Sequence, residues 1–550
     1  MQMQDFKDRV KQAGIKQASD RQTTYGPGAF TRFGRDFARE EDGALLIFGV
    51  YVFLIILMVA GIGVDLMHFE RNRALLQYTL DRAVLAAADL DNDDAHAVVT
   101  DYFNKSGLGQ HLGSVVIDEG EGYRSVSATA SAQVQTQFMH MTGVDSLLAP
   151  AASTAEERVD GVEISLVLDV SGSMNSNSRL SNLKTAARAF IDEMIENTEE
   201  GKLSISIVPY ATQVSVPDEL FNEFNVSQEQ TMSNCINFEN SDFNDTSMST
   251  GFPYERTMHF DPWYTHDKRA SGSRLRLPVC DDRASREILV MENDANTLKN
   301  FISNLSAGGN TSIDVGMKWG TALVDPSLNP VIQTMIVGGS VNPDFSTRPH
   351  AYNDTNALKV IVLMTDGQNT SQYFIPDGYR SGLSEVWWNE DSNRYSVLEE
   401  NDPDDPDDDE YYWRHNGTMN DHPYGDSEPG EAVNLTYANL WGYTTLHWNW
   451  KYNYKPWMGS SSAKNTWYYP VRQRVNSSTK NTRTRAICDA VKSQQVIVFA
   501  IGFEAPSGGQ SILSDCASSP NHYFNVTGGA QLTDAFYKIA SSIRKLRLTQ

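Results

Sequence analysis

The sequence predicts an α/β protein: a doubly wound, mostly parallel sheet interrupted by two large insertions and preceded by one transmembrane helix and a small α+β region. Three observations carry this reading. An uncharged apolar run of 22 residues lies close to the N-terminus. From Val162 onward, short apolar runs alternate with helical patterns, the mark of parallel strands joined by crossover helices. Two of those runs end in an aspartate, at the strand ends where open sheets gather ligand-binding groups.

Residues 1–42 read as a cytoplasmic tail, with eight Lys/Arg against seven Asp/Glu and Gly26-Pro27-Gly28 interrupting them. Residues 43–66 form the membrane span. Its apolar part, GALLIFGVYVFLIILMVAGIGV, reaches about 33 Å as a helix, enough to cross the hydrocarbon. Asp65-Leu66-Met67-His68 follows where a cleavable signal would carry small residues, so the span is an uncleaved anchor. Arg32, Arg35 and Arg39 precede it and Arg71, Arg73 and Arg82 follow, nearly a tie. Lys7, Arg9, Lys11, Lys16 and Arg21 add to the basic tail. The long acidic part, which holds every cysteine, is the easier cargo to translocate. The N-terminus is therefore expected inside, the bulk of the chain extracytoplasmic, and residues 43–66 in lipid.

Residues 67–158 begin as a continuation of the helix, DLMHFERNRALLQYTLDRAVLAAADL, with Leu76, Leu80, Val84 and Ala87 on one stripe. Asp91-Asn92-Asp93-Asp94 marks a break. Alternating runs between 113 and 138, such as Ser125-Val126-Ser127-Ala128, predict strands. A long helix followed by a small sheet is a pilin-like layout. Residues 148–158 read as a linker or an edge strand.

The main domain spans 159–550. Its strands are expected at Val162–Leu168, Leu203–Val208, Ala357–Met364 and Gln495–Phe503. Its helices are expected at Ser181–Asn197, Ala295–Leu305, Ser312–Val324, Arg483–Ser493 and Gln531–Arg544. Two stretches, near 212–292 and 369–480, are too long for ordinary connections and read as insertions. The second holds eight of the ten tryptophans, which form either a core of their own or an exposed contact surface. It also holds the acidic run Asp402–Glu410, a solvated loop or, less simply, a calcium site without EF-hand spacing.

Charge and cysteine usage narrow the partners. A net charge of -25 repels phosphate backbones, which argues against nucleic acid. Cys235, Cys280, Cys488 and Cys516 form no CxxC pair, so zinc and thioredoxin-like sites are disfavoured. In an exported region an even number favours disulfides. Of the three possible connectivities, pairing of sequence neighbours is preferred: Cys235–Cys280 and Cys488–Cys516.

The chemistry-bearing signal is a set of three loops. Val167-Leu168-Asp169-Val170-Ser171-Gly172-Ser173-Met174 follows one apolar strand. Gly308-Gly309-Asn310-Thr311-Ser312 precedes a helix, and Thr365-Asp366-Gly367 ends another strand. Meeting beyond the strand ends, Asp169, Ser171, Ser173, Thr311 and Asp366 would offer two carboxylates and three hydroxyls. Such an all-oxygen set suits a hard cation, Mg²⁺ or alternatively Mn²⁺ or Ca²⁺.

These five residues, in this order, resemble the metal-ion-dependent adhesion site of von Willebrand factor A domains, over roughly 160–545 without the insertions. The resemblance implies a Rossmann-like α/β domain and a metal position that accepts a carboxylate from a protein partner. The stretch from Gly43 to Ala88, with GIGVDLMHFERNRALLQYTLDRAVLAAA, resembles the N-terminal segment of TadG-like proteins of the bacterial Tad/Flp pilus assembly system. That resemblance implies a Gram-negative inner-membrane, single-pass protein with a periplasmic bulk, which serves pilus assembly, anchoring or adhesion with pilus or envelope proteins as partners. It departs from the prepilin processing pattern, since Phe48 rather than Glu stands five residues after Gly43. Two rival readings remain: a structural pilus-associated subunit displaying the domain, and a metal-dependent hydrolase. The second is disfavoured, because no H-E-x-x-H, G-x-S-x-G or Walker loop appears.

Overall fold

The computed structural model describes residues 42–89, 94–120, 123–158, 161–196, 198, 201–276, 278–354, 357–400 and 409–545. The tail, most of the Asp91–Asp94 break and most of the acidic run Asp402–Glu410 lie outside the described residues. The chain forms two compact units. Of the described residues, one unit holds those up to Val84 with His96–Val116 and Ser127–Thr154; the other holds those of Leu85–Ala95 and Ile117–Val126 and those from Ala155 on.

Helix α1, Asp42–Ala88, runs without interruption through the apolar segment and beyond it. Its side chains from Leu45 to Val59 are nearly all exposed, while Leu76, Leu80, Ala83, Val84 and Ala87 are buried. A helix that is apolar all round gives way to one with a single apolar stripe, the change expected where lipid is replaced by protein. Helix α2, Ala95–Lys105, and strands β1, Leu112–Gly120, β2, Tyr123–Gln135, and β3, Ser146–Arg158, follow. The strands form one sheet in the order β1-β2-β3. The 148–158 stretch is therefore an edge strand and not a linker.

The second unit is organised by a six-stranded sheet. Its strands are β4, Gly161–Asp169, β5, Leu203–Tyr210, β6, Leu289–Glu292, β7, Ala357–Thr365, β8, Ile497–Phe503, and β9, Tyr523–Val526. Their order is β9-β8-β7-β4-β5-β6. Every pair from β9 through β5 is parallel, and only the edge strand β6 is antiparallel. β6 places the last part of the expected 212–292 insertion in the core sheet. Four residues ending in Glu292 are too short to show a strand pattern in sequence.

Both faces of the sheet are covered, which is why β4, β5 and β8 are buried along their whole length. One face packs Ile164, Leu166 and Leu168 with helices α3, Arg179–Glu196, α4, Ala295–Asn304, and α9, Gly529–Lys545. The other packs Val167 and Val208 with α5, Ile313–Ala322, α6, Asn329–Val337, α7, Ser477–Ser493, and α8, Ser507–Cys516. Gly320 lets α5 seat on the sheet, since a Cβ there would lie 2.3 Å from Val167 Cγ2. Helices α6 and α8 escaped sequence reading: both are short, and proline or glycine dilutes their pattern.

The two insertions share one core. Met258, Phe260 and Val279 of the first cluster with Trp388, Tyr395, Trp441, Trp448 and Tyr454 of the second. Within the second, the strands Thr418–Asn420, Glu410–Trp413, Arg394–Glu399, Leu383–Asn389 and Ala432–Thr436 are neighbours in that order in a five-stranded sheet. Most of the tryptophans are thus core residues of the inserted layer. Cys235 pairs with Cys280 inside the first insertion, and Cys488 on α7 pairs with Cys516 on α8.

Candidate functional site

Parallel strands bring their carboxyl ends to one edge, and β4 and β7 are direct neighbours there. Asp169 and Asp366 are therefore side by side, 0% and 2% exposed. Asp169 Oδ1 accepts the Ser171 N–H at 2.7 Å, and its Oδ2 accepts the Thr365 hydroxyl at 2.5 Å. The Ser173 hydroxyl donates to Asp366 Oδ1 at 2.7 Å and lies 3.0 Å from the Ser171 hydroxyl. Four of the five expected residues thus form one hydrogen-bonded cluster. Thr311 stands next to it: its Oγ1 lies 3.4 Å from where a Cβ of Gly367 would be. Ser173 is exposed, so the cluster opens to solvent on its side.

The loops are stitched by main chain. The Gly172 N–H donates to Gly309 O at 2.9 Å, and the Gly308 N–H to Val170 O at 2.9 Å. Gly309 has φ +82°, and a Cβ there would lie 2.8 Å from Thr212 Oγ1, so both conformation and space require glycine. Thr311 and Thr370 exchange backbone contacts: the Thr311 N–H donates to Thr370 Oγ1 at 3.0 Å, and the Thr370 N–H to Thr311 O at 3.1 Å.

Burial, followed by the charge of Asp366, holds the Asp169 carboxyl well above its ordinary value, against the donors Thr365 and Ser171. Among the described residues, one cation is hydrogen-bonded to this pair. Arg179, at the start of α3, donates to Asp366 Oδ2 at 2.9 Å and to Glu504 Oε2 at 2.8 Å. Counted as ionised, Asp169, Asp366 and Glu504 against Arg179 leave two negative charges. A dication would cancel that excess. Among the described residues no group of three or more His, Cys, Asp or Glu is placed to hold a metal, so any cation here must rely on hydroxyl oxygens as well.

Sequence reasoning missed the residues that hold the cluster in place. Buried Arg286, at the end of the first insertion, donates to Val170 O at 2.6 Å, Gly308 O at 2.8 Å and Ser306 O at 2.9 Å, and pairs with Asp281 at 3.1 Å. It joins the first loop to the second. Buried Lys480, where the second insertion returns into α7, donates to Thr311 O at 2.9 Å, Thr370 O at 3.0 Å and the Ser312 hydroxyl. Burial pushes its ammonium down to about 8, while Asp314, 3.8 Å away, opposes the shift. Neither residue belongs to a local motif; Lys480 reaches both its loops, and Arg286 reaches Val170, across more than a hundred positions. Thr365 alone carried a signal, as the hydroxyl residue just before Asp366.

Comparison with known proteins covers the anchor. Residues 43–90 match the family model of Flp pilus-assembly TadE/G-like domains. No curated protein matches the chain. Among solved structures, the pilus adhesin SpaC from Lactobacillus rhamnosus GG is 14% identical with a TM-score of 0.30, over 78% of this chain and 34% of that one. The chain thus spans about a third of SpaC. The vWF domain of the type V pili tip protein Mfa5 from Porphyromonas gingivalis is 14% identical with a TM-score of 0.32, over 71% and 98%. The adhesive tip pilin GBS104 from Group B Streptococcus agalactiae is 12% identical with a TM-score of 0.28, over 70% and 100%. Likenesses this distant assign neither fold nor activity. What the comparisons establish is a match confined to residues 43–90, which are similar to the Flp pilus-assembly TadE/G-like family.

Proposed function

We propose that this protein is a membrane-anchored factor of Tad/Flp pilus assembly, anchoring or surface adhesion, and that its C-terminal domain is a doubly wound von Willebrand A domain that binds a protein partner through a divalent cation. The observation that carries the reading is the single cluster made by Asp169, Ser171, Ser173 and Asp366, with Thr311 beside it, at the carboxyl ends of adjacent parallel strands. The TadE/G-like match supports the pilus setting. The N-terminus lies in the cytoplasm and the domain in the periplasm, as the basic tail and the two disulfides favour.

The donor set fits Mg²⁺, with Mn²⁺ and Ca²⁺ as alternatives: five oxygen-bearing side chains, two of them carboxylates in a site with excess negative charge. When bound, the cation supplies a coordination position for a carboxylate of the partner, a pilus or envelope protein. The chain's own groups set its place. Thr365 and the Ser171 N–H aim Asp169, and Arg179 holds the outer oxygen of Asp366. Calorimetric titration of the full chain in detergent with MgCl₂ and MnCl₂, wild type against Asp169→Asn, tests this. Saturable binding lost in the variant is expected; equal heats in both would refute the cation site.

A further inference from the structure

The loop joining β2 to β3 lies against the anchor. Asp65 accepts the N–H groups of Gln137, Phe138 and Met139 at 3.0, 2.8 and 2.7 Å. Four residues earlier, Gly61 is buried, and a Cβ there would lie 2.3 Å from Phe138 Cγ. The Phe138 ring occupies the space that any other residue at 61 would fill. Four residues of helix are about 6 Å, so the ring lies alongside the last turn of the uncharged run that ends at Val64. The interfacial layer on each side of a bilayer is of comparable depth, roughly 5–8 Å.

The loop is built to keep its place. The Thr136 N–H donates to Asp145 O at 3.1 Å, the Val144 N–H to Met139 O at 3.2 Å, and the Thr136 hydroxyl also reaches Val144 O. Thr136 to Val144 contains no Lys, Arg, Asp or Glu. His140, its one titratable side chain, pairs with Asp145 at 2.5 Å. Met141 at the tip is 71% exposed, although the loop is otherwise tied down. Met141 is thus exposed apolar surface on a hydrogen-bonded loop beside the end of the uncharged run, the depth at which a bilayer would offer an apolar medium.

We propose that the 136–144 loop is a second membrane contact, with Phe138 and Met141 embedded in the headgroup and upper acyl region of the phospholipid bilayer beside the end of α1. Asp65 is its positioning residue: buried at 5% exposure, it satisfies three loop N–H groups that lipid would leave unpaired. The contact sets the depth and limits the tilt of the helix where it leaves the membrane. It rests on the reading of α1 as an anchor and is independent of the cation site.

The four native cysteines are all disulfide-bonded, so an introduced cysteine is a unique free thiol. Full-length Met141→Cys, Leu54→Cys and Val337→Cys are labelled with an environment-sensitive fluorophore and reconstituted into phosphatidylcholine–phosphatidylglycerol vesicles. Some vesicles carry a nitroxide near the top of the acyl chain. Leu54 reports the anchor, and Val337, 89% exposed on α6, reports water. The expected result is strong quenching at 54, at least two-fold greater quenching at 141 than at 337, and loss of the difference at 141 when Asp65→Ala is added. Quenching at 141 equal to that at 337, with 54 strongly quenched, overturns the loop contact alone. No quenching at 54 overturns the anchor reading, and the loop contact with it.

Discussion

Replacing Asp169 with Asn tests the cation site with little structural damage. The two side chains have nearly the same volume, and Asp169 is 0% exposed, so no cavity opens. The Asn oxygen can still accept from Ser171, while its amide can donate to the Thr365 hydroxyl. What disappears is one of two adjacent buried carboxylates. In wild type, a cation at 100 times its dissociation constant adds about 2.7 kcal/mol of stability. Residues 161–545 make a large melting unit; at about 2.1 cal/mol/K per residue the unfolding entropy is roughly 0.8 kcal/mol/K. The expected rise in Tm is therefore about 3 °C for wild type and none for Asp169→Asn, read by calorimetry with and without chelator. pH gives a second reading. The Asp169 carboxyl is held above its ordinary value of 3.8, by burial first and then by Asp366. Its contribution to stability is complete below that value and is lost as pH rises through the higher folded value. Without metal, wild type should therefore weaken from pH 4 towards neutrality and beyond, and Asp169→Asn should weaken less. If the two proteins respond identically to millimolar Mg²⁺ and Mn²⁺ and share one pH profile, the loops are only a structural rim.

Three further predictions bear on the scaffold and the topology. Replacing Cys488 and Cys516, 28 residues apart, with serine should cost about 3.6 kcal/mol by loop-closure entropy, and the 45-residue Cys235–Cys280 bridge about 4 kcal/mol, both measured by denaturant unfolding; unchanged midpoints would show that neither bridge constrains the unfolded chain. Lys480→Met leaves the buried Asp314 carboxylate with Arg483 at 3.9 Å as its remaining cationic partner and should destabilise by about 3–5 kcal/mol. It should also weaken the Mg²⁺ response through Thr311, and wild-type stability with an intact response would remove Lys480 from the site's framework. A periplasm-dependent reporter fused after Gln550 should be active, and activity of a cytoplasmic reporter at the same junction would reverse the orientation.

Much of the chain was readable from local pattern. The long apolar helix needed only length and absence of charge. The strands carrying Asp169 and Asp366 showed themselves because a parallel strand buried on both faces is a continuous apolar run, as at Val360-Ile361-Val362-Leu363-Met364. The helix after Ser312 and the last helix were visible for the corresponding reason, their apolar stripes. The five candidate residues could be named because each lies in a loop that leaves a strand end or enters a helix, where topology leaves little choice of direction.

Tertiary structure decided what depends on residues far apart. That the two insertions share a core, with Phe260 against the tryptophans of the second, follows from side-chain packing that has no period in sequence. Glu292 ends a core strand because β5 offers it an open edge, not because four residues choose to be extended. Arg286 holds the Val170 carbonyl and Lys480 the Thr311 carbonyl, each more than a hundred positions away. The sequence by itself determined which residues line the strand ends and which segment is a long helix apolar all round, because burial on both faces and uniform hydrophobicity leave local traces. Only the fold decided how the loops are held against one another, because a carbonyl accepts a hydrogen bond whatever its side chain, so its partner leaves no trace in the local sequence.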